Sequence, residues 1–200
     1  MTRYQEYPSN ENGEGLRIGV VVARITDPFR SSLLDGLIRE IQHRGFQALV
    51  TEVGDTADMA ETLRRFTQFR VSGVVVTSGQ PPQAIINECV QHHIPVVGIN
   101  RPATPPFVDA VCSDNHAGAT LAAAQLHRAG CRRFGWLNYA YSTWAGRQRG
   151  EAFLQALKMS DISSPVIPLI AQEDGWQGGR LAAQHYANAM ENIDGVFCAN

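Results

Sequence analysis

Residue types that can hold a small polar molecule concentrate in short segments, each following an apolar run. They are residues 24–30, 77–80, 100–101, 113–115, 138–149, 171–176 and the final residue, Asn200. Arg, Asn, Asp, Ser and aromatic residues dominate them, the types that hydrogen-bond to a polar ring and stack on it. Covalent chemistry leaves no comparable trace. No GxGxxG follows the first apolar run, because Gly13 and Gly15 precede it, and there is no P-loop. Ser78 sits in Thr77-Ser78-Gly79 without the glycine that a nucleophile elbow needs on its other side. His92 and His93 are adjacent rather than four apart, so two rings on a helix end point apart and read as a solvated terminus. Cys89, Cys112, Cys131 and Cys198 are widely spaced with no CxxC. That suits a reducing compartment better than a disulfide framework or a zinc site. Cys131 and Cys198 read as small apolar packing groups. No catalytic residue, cofactor or metal site is expected.

The elements that must position these segments alternate regularly. Residues 17–23 (RIGVVVA) form a short, β-branched, nearly continuous apolar strand. Asp27-Pro28 then has the form of an N-cap followed by proline at the first helical position. Leu33, Leu34, Leu37, Ile38 and Ile41 recur at helical spacing until Gly45. Further strands are expected at 46–52, 73–77 and 95–99, with helices at 58–69 and 82–91. A proline-containing stretch, 101–108, follows, then a short strand at 108–113 and an Ala-rich helix at 115–129. A second series comprises strands 133–138, 166–170 and 195–199 and helices 144–159 and 176–190. Strands alternating with helices imply right-handed crossovers and an α/β fold of parallel, doubly wound sheets. Ligands on such sheets bind outside the carboxyl ends of the strands, and that rule singles out the segments above. The expected organisation is a linker or disordered segment at 1–15, one lobe over 16–105 and a second, partial lobe over 106–200.

Composition limits the function classes. The 200 residues are 44% hydrophobic and 18% charged, with 17 basic and 19 acidic residues and a net charge of −2. This is a globular rather than a disordered balance. The basic residues are arginines except Lys158, and nothing in the overall charge attracts a phosphate backbone. No apolar run is long enough to span a membrane, and the opening residues hold no apolar h-region of a secretory signal.

In order and spacing, six segments resemble the effector-binding core of LacI/GalR-type bacterial transcription regulators, similar in fold to periplasmic sugar-binding proteins. Ile18-Gly19-Val20-Val21-Val22 with Asp27-Pro28-Phe29 resembles the first strand and its "NPF" loop. Arg70-Val71-Ser72-Gly73-Val74-Val75-Val76 resembles "xVDGIIV", and Ile94-Pro95-Val96-Val97 before Asn100-Arg101 resembles "IPVVxxDR". Ser113-Asp114-Asn115-His116-Ala117-Gly118, with Leu126 and Gly130, resembles "VxxDNxxGGxxAxxxLIxxGH". Arg147-Gln148-Arg149-Gly150-Glu151-Ala152-Phe153 resembles "RxRxxGF", and Val196-Phe197-Cys198-Ala199-Asn200 resembles "AVFCAND" up to its aspartate. Cys131 stands where the family has the His of "GH", and Asn100 where Asp is common.

The resemblance implies a ligand sensor, not an enzyme. Phe29, Arg30, Ser78 and Asn100 would line the first-lobe side of an interlobe cleft. Arg149 would hold a hydroxyl pair or carboxylate, Trp176 would stack on the ligand ring, and Asn200 would bond it from the far side. Asp114 would bond the ligand or brace the crossover, its alternative being an N-cap. Arg101 reads as structural in the crossover. The implied effector is a sugar or sugar derivative, and Arg30 and Arg149 leave room for a sugar acid or phosphate. The implied setting is a cytoplasmic homodimer that reaches operator DNA through a helix-turn-helix head outside these residues. The other reading kept open is a periplasmic-type sugar-binding protein for transport.

Overall fold

The computed structural model describes residues 16–23, 25–54, 56–77, 83–102, 108–140, 143–160, 165–173 and 175–199. The expected linker at 1–15, Ser78 and Asn200 lie outside them. The chain divides into two compact units, Met1–Val111 and Cys112–Asn200, each an α/β sandwich on a parallel sheet.

The first unit runs β1 (Arg17–Val22), α1 (Pro28–His43), β2 (Gln47–Glu52), α2 (Thr56–Gln68), β3 (Gly73–Val76), α3 (Gln83–Gln91), β4 (Val96–Ile99) and β5 (Val108–Val111). Its sheet order is β2-β1-β3-β4-β5, every described pair parallel. The winding direction reverses between β1 and β3, the topological switch point at which open α/β sheets bind ligands. The near-continuous apolar run of β1 is explained by burial on both faces. Val21 joins Met59, Leu63 and Phe66 of α2 and Ile86 and Cys89 of α3 in one cluster. Val20 and Val22 face the other way, against Ile41, Leu34 and Leu37 of α1. Burial pushes the Cys89 thiol up to about 11, helped by the neighbouring Glu88 charge, so this cysteine is a protonated packing group at neutral pH.

The second unit runs α4 (Asn115–Arg128), β6 (Phe134–Tyr139), α5 (Trp144–Met159), β7 (Ile167–Ala171), α6 (Gly175–His185), α7 (Ala187–Met190) and β8 (Gly195–Cys198). The sheet order is β7-β6-β8, again parallel, with the switch point between β6 and β8. Ala119 and Ala123 of α4 are small enough to let that helix lie close on α5, where Ala152, Phe153 and Leu157 complete the core with Phe134. Gly150 is required in the same layer. A Cβ there would stand 2.1 Å from Cζ2 of Trp136, so the indole of β6 occupies the space a side chain would take.

Two boundaries differ from the sequence reading. The proline-containing stretch suggests a division near residue 105, but β5 pairs with β4 in the first sheet, Val96 opposite Val108 and Ile99 opposite Val111, so the division falls after Val111. The single helix expected over 176–190 is two, interrupted at Tyr186. The Ile170 N–H donates to the Tyr186 hydroxyl at 3.2 Å, so this side chain ties the end of α6 to the edge strand β7.

Asp194 closes the turn into β8. Its Oδ1 accepts the N–H groups of Arg132 and Arg133, each at 2.8 Å, and its Oδ2 accepts from Arg133 Nε at 3.4 Å. These contacts, the Arg133 N–H foremost, hold the carboxyl below its ordinary range. A depressed carboxyl stabilises the fold above the unfolded value, about 3.9, and loses that contribution as pH falls through the native one. The Tm of the second unit in Asp194→Asn is therefore expected below wild type at pH 7, with the gap narrowing toward pH 3. A gap independent of pH would contradict this assignment. Among the described residues no helix is long and apolar enough to cross a membrane.

A candidate ligand-binding site in the second unit

The site grows from the first turn of α4. Asp114 is its N-cap: Oδ1 accepts the Ala117 N–H at 2.8 Å, a contact that stabilises a helix by about 1 kcal/mol. Of the two roles open to Asp114, the structure displays the capping one, and the residue also lines the adjacent concavity. Asn115 follows at the first helical position and is 7% exposed. It belongs to the same stripe as Ala119 and Ala123, at four-residue spacing, so its amide is carried toward α5.

There it meets Arg149. Arg149 Nε donates to Asn115 Oδ1 at 2.8 Å, and Arg149 Nη1 donates to the Ala199 carbonyl at 2.8 Å. Two acceptors from different elements, α4 and the carboxyl end of β8, thus fix the plane of the guanidinium. Arginine Nε carries a hydrogen and no lone pair, so the amide oxygen must face it and Asn115 Nδ2 must turn the other way. That nitrogen is buried with no hydrogen-bond partner among the described residues. A buried donor in this state costs about 1–3 kcal/mol.

These groups line a concavity of about 270 Å³ with Ser113, Gly118, Phe197 and Cys198. It lies at the carboxyl end of β8, beside the switch point, where the fold rule places ligands. Its lining combines one guanidinium, one carboxylate and one hydroxyl with an aromatic and small residues, the make-up of a site for a small polar molecule. Burial raises the Cys198 thiol, so the sulfur here is a thiol and not a thiolate nucleophile at neutral pH. Among the described residues no group of three or more His, Cys, Asp or Glu is placed to hold a metal.

The remaining expected residues fall as follows. Trp176, 80% exposed in the first turn of α6, does not line the concavity. Phe29, 64% exposed, and Arg30 follow β1 at the switch point of the first unit. Asp27 caps α1 by accepting the Arg30 N–H at 3.0 Å, and Arg30 Nη1 folds back to the Ala23 carbonyl at 3.2 Å. Asn100 follows β4 at φ 54°, a left-handed conformation that Asn adopts more readily than most residues, and its N–H donates to the Val111 carbonyl at 2.9 Å. Arg101 is 8% exposed, with its chain lying across Gly98, where a Cβ would stand 2.5 Å from Arg101 Cδ. That burial fits the structural role read for it. The sequence reading brings Asp114 and Arg149 together but does not single out Ser113, Asn115, Phe197, Cys198 or Ala199. Ser113 and Asn115 fall in the polar segment 113–115, and the polar residue in the alanine stripe of α4 marks Asn115 further.

The two parallel, doubly wound sheets define a fold of the periplasmic-binding-protein type, and comparison with known proteins agrees. The family model described as periplasmic binding proteins and sugar binding domain of the LacI family matches residues 15–200, and the chain belongs to this family. It is 23% identical over 184 residues to the HTH-type transcriptional repressor PurR of Klebsiella pneumoniae, covering 90% of this chain and 54% of that protein. The chain thus spans about half the length of that curated relative. Two crystal structures share the fold. One is a LacI family transcriptional regulator from Enterococcus faecium with bound ribose, at 27% identity, TM-score 0.76, and 91% and 66% coverage of the two chains. The other is the Cra dual regulator from Pseudomonas putida in complex with fructose 1-phosphate, at 19% identity, TM-score 0.79, and 91% and 68% coverage. These three proteins are transcription regulators, in agreement with the non-catalytic reading of the sequence.

Proposed function

We propose that this chain is the effector-sensing part of a LacI/GalR-type transcription regulator and that its effector is a sugar or sugar derivative. The observation that carries the reading is Arg149, held by Asn115 and the Ala199 carbonyl at the lip of a polar concavity beside the switch point. A planar, fixed guanidinium suits two adjacent hydroxyls or the oxygens of an acid or phosphate. The structures with ribose and with fructose 1-phosphate support this ligand class for the same fold. Asp114 at the concavity, Trp176 and Asn200 on the second unit, and Phe29, Arg30, Ser78 and Asn100 on the first, are proposed to complete effector binding. In the full regulator, a cytoplasmic homodimer, effector binding alters operator affinity through a helix-turn-helix segment, a coupling between two sites.

Thermal unfolding of the chain against ribose, glucose, galactose, fructose 1-phosphate and glucuronate tests the ligand class. A ligand at one hundred times its Kd stabilises the native state by about 2.7 kcal/mol, a readily measured rise in Tm. One of the five is expected to produce it in the millimolar range. No response to any of them in the full regulator would overturn the sugar reading.

A further inference from the structure

We propose that Asn115 is a positioning residue whose side-chain oxygen presets the guanidinium of Arg149 before any ligand arrives. The inference rests on the reading of Arg149 as the residue that holds the ligand. It adds the residue through which that arginine is aimed. Asn115 is more than nine-tenths buried, lies in a stripe otherwise made of alanine, and leaves Nδ2 without a partner. A leucine or alanine would satisfy the packing of such a position without a buried orphan donor. What an apolar residue would remove is the acceptor on Arg149 Nε, 2.8 Å away. The Ala199 carbonyl holds the guanidinium at Nη1, and the Asn115 oxygen is the acceptor that holds it at Nε. The ligand then meets a guanidinium whose orientation has already been set, and less ordering is left for the binding step.

The test reads the arginine directly and uses no ligand, so its outcome is separate from that of the sugar reading. In 15N-edited NMR spectra of the chain, the Arg149 Nε–H, assigned by its absence in Arg149→Lys, is expected as a resolved resonance. Its hydrogen exchange should be at least about tenfold slower than that of exposed arginines, as expected for a held donor. Asn115→Leu should bring exchange to the exposed value, and Asn115→Asp, which keeps an oxygen at the same place, should restore slow exchange. Fast exchange in the unaltered chain would overturn the proposal without any variant, so it stays testable even where Asn115→Leu does not fold. Slow exchange that persists in Asn115→Leu would overturn it as well.

Discussion

Arg149→Ala is expected to weaken effector binding by at least about 100-fold while the first unit keeps its fold. The magnitude follows from the chemistry of the contact. Hydrogen bonds to a charged group contribute about 1.5–3 kcal/mol each, and two of them to adjacent ligand oxygens exceed the 1.4 kcal/mol per tenfold in affinity that two decades require. The substitution also strips the Asn115 oxygen and the Ala199 carbonyl of their donor, so a modest loss of Tm in the second unit accompanies the loss of binding. Arg149→Lys separates charge from geometry. An ammonium keeps the charge but has no planar fork to reach both acceptors and a ligand at once, so its affinity should lie nearer that of the alanine variant than that of wild type. Calorimetric titration with whichever sugar raises the Tm of the chain measures both. An Arg149→Ala protein that binds that sugar within threefold of wild type would remove the arginine from the site.

Arg149 is legible through the family resemblance of residues 147–153, whereas its supports are not, because they lie far from it along the chain. The strands and helices announce themselves locally, through apolar runs, Asp27-Pro28, and glycines that end helices at Gly45 and Gly130. Asp114 is legible in the same way, because a cap acts within three residues. The Asn115 contact to Arg149 spans 34 positions and the Ala199 contact spans 50. No local rule reports a pairing of that separation. The edge strand β5, exposed over residues 109–111, shows the same limit. Its residues read as a strand, but only its partner β4 decides which unit it belongs to. The family resemblance implies ligand contacts for Phe29 and Trp176, and their exposure of 64% and 80% shows that the core does not consume them.

The support of Arg149 extends one turn further along α5, which leads to the largest expected effect on stability. Phe153 lies four residues after Arg149 and is fully buried. It stacks on Phe197 of β8 at 4.5 Å between ring centroids and 17° between planes, and meets Phe134 of β6 edge-on at 6.3 Å. This ring therefore joins α5 to both strands flanking the switch point. Phe153→Ala is expected to cost about 3–5 kcal/mol, from lost burial and the cavity left among rings and alanines that have little freedom to collapse. In a unit of about 90 residues that corresponds to a fall in Tm on the order of 15 °C or more, read by calorimetry as a shift of the second unit's transition. Phe153→Leu keeps most of the volume and should cost considerably less. The functional consequence is a second readout. Phe197 is followed by Cys198 and by Ala199, whose carbonyl holds Arg149, so loosening the ring stack loosens an acceptor on the guanidinium. Phe153→Ala should therefore weaken effector binding even at temperatures where the unit is still folded. A variant whose second transition moves by less than about 3 °C would show that the ring stack does not hold α5 to the sheet.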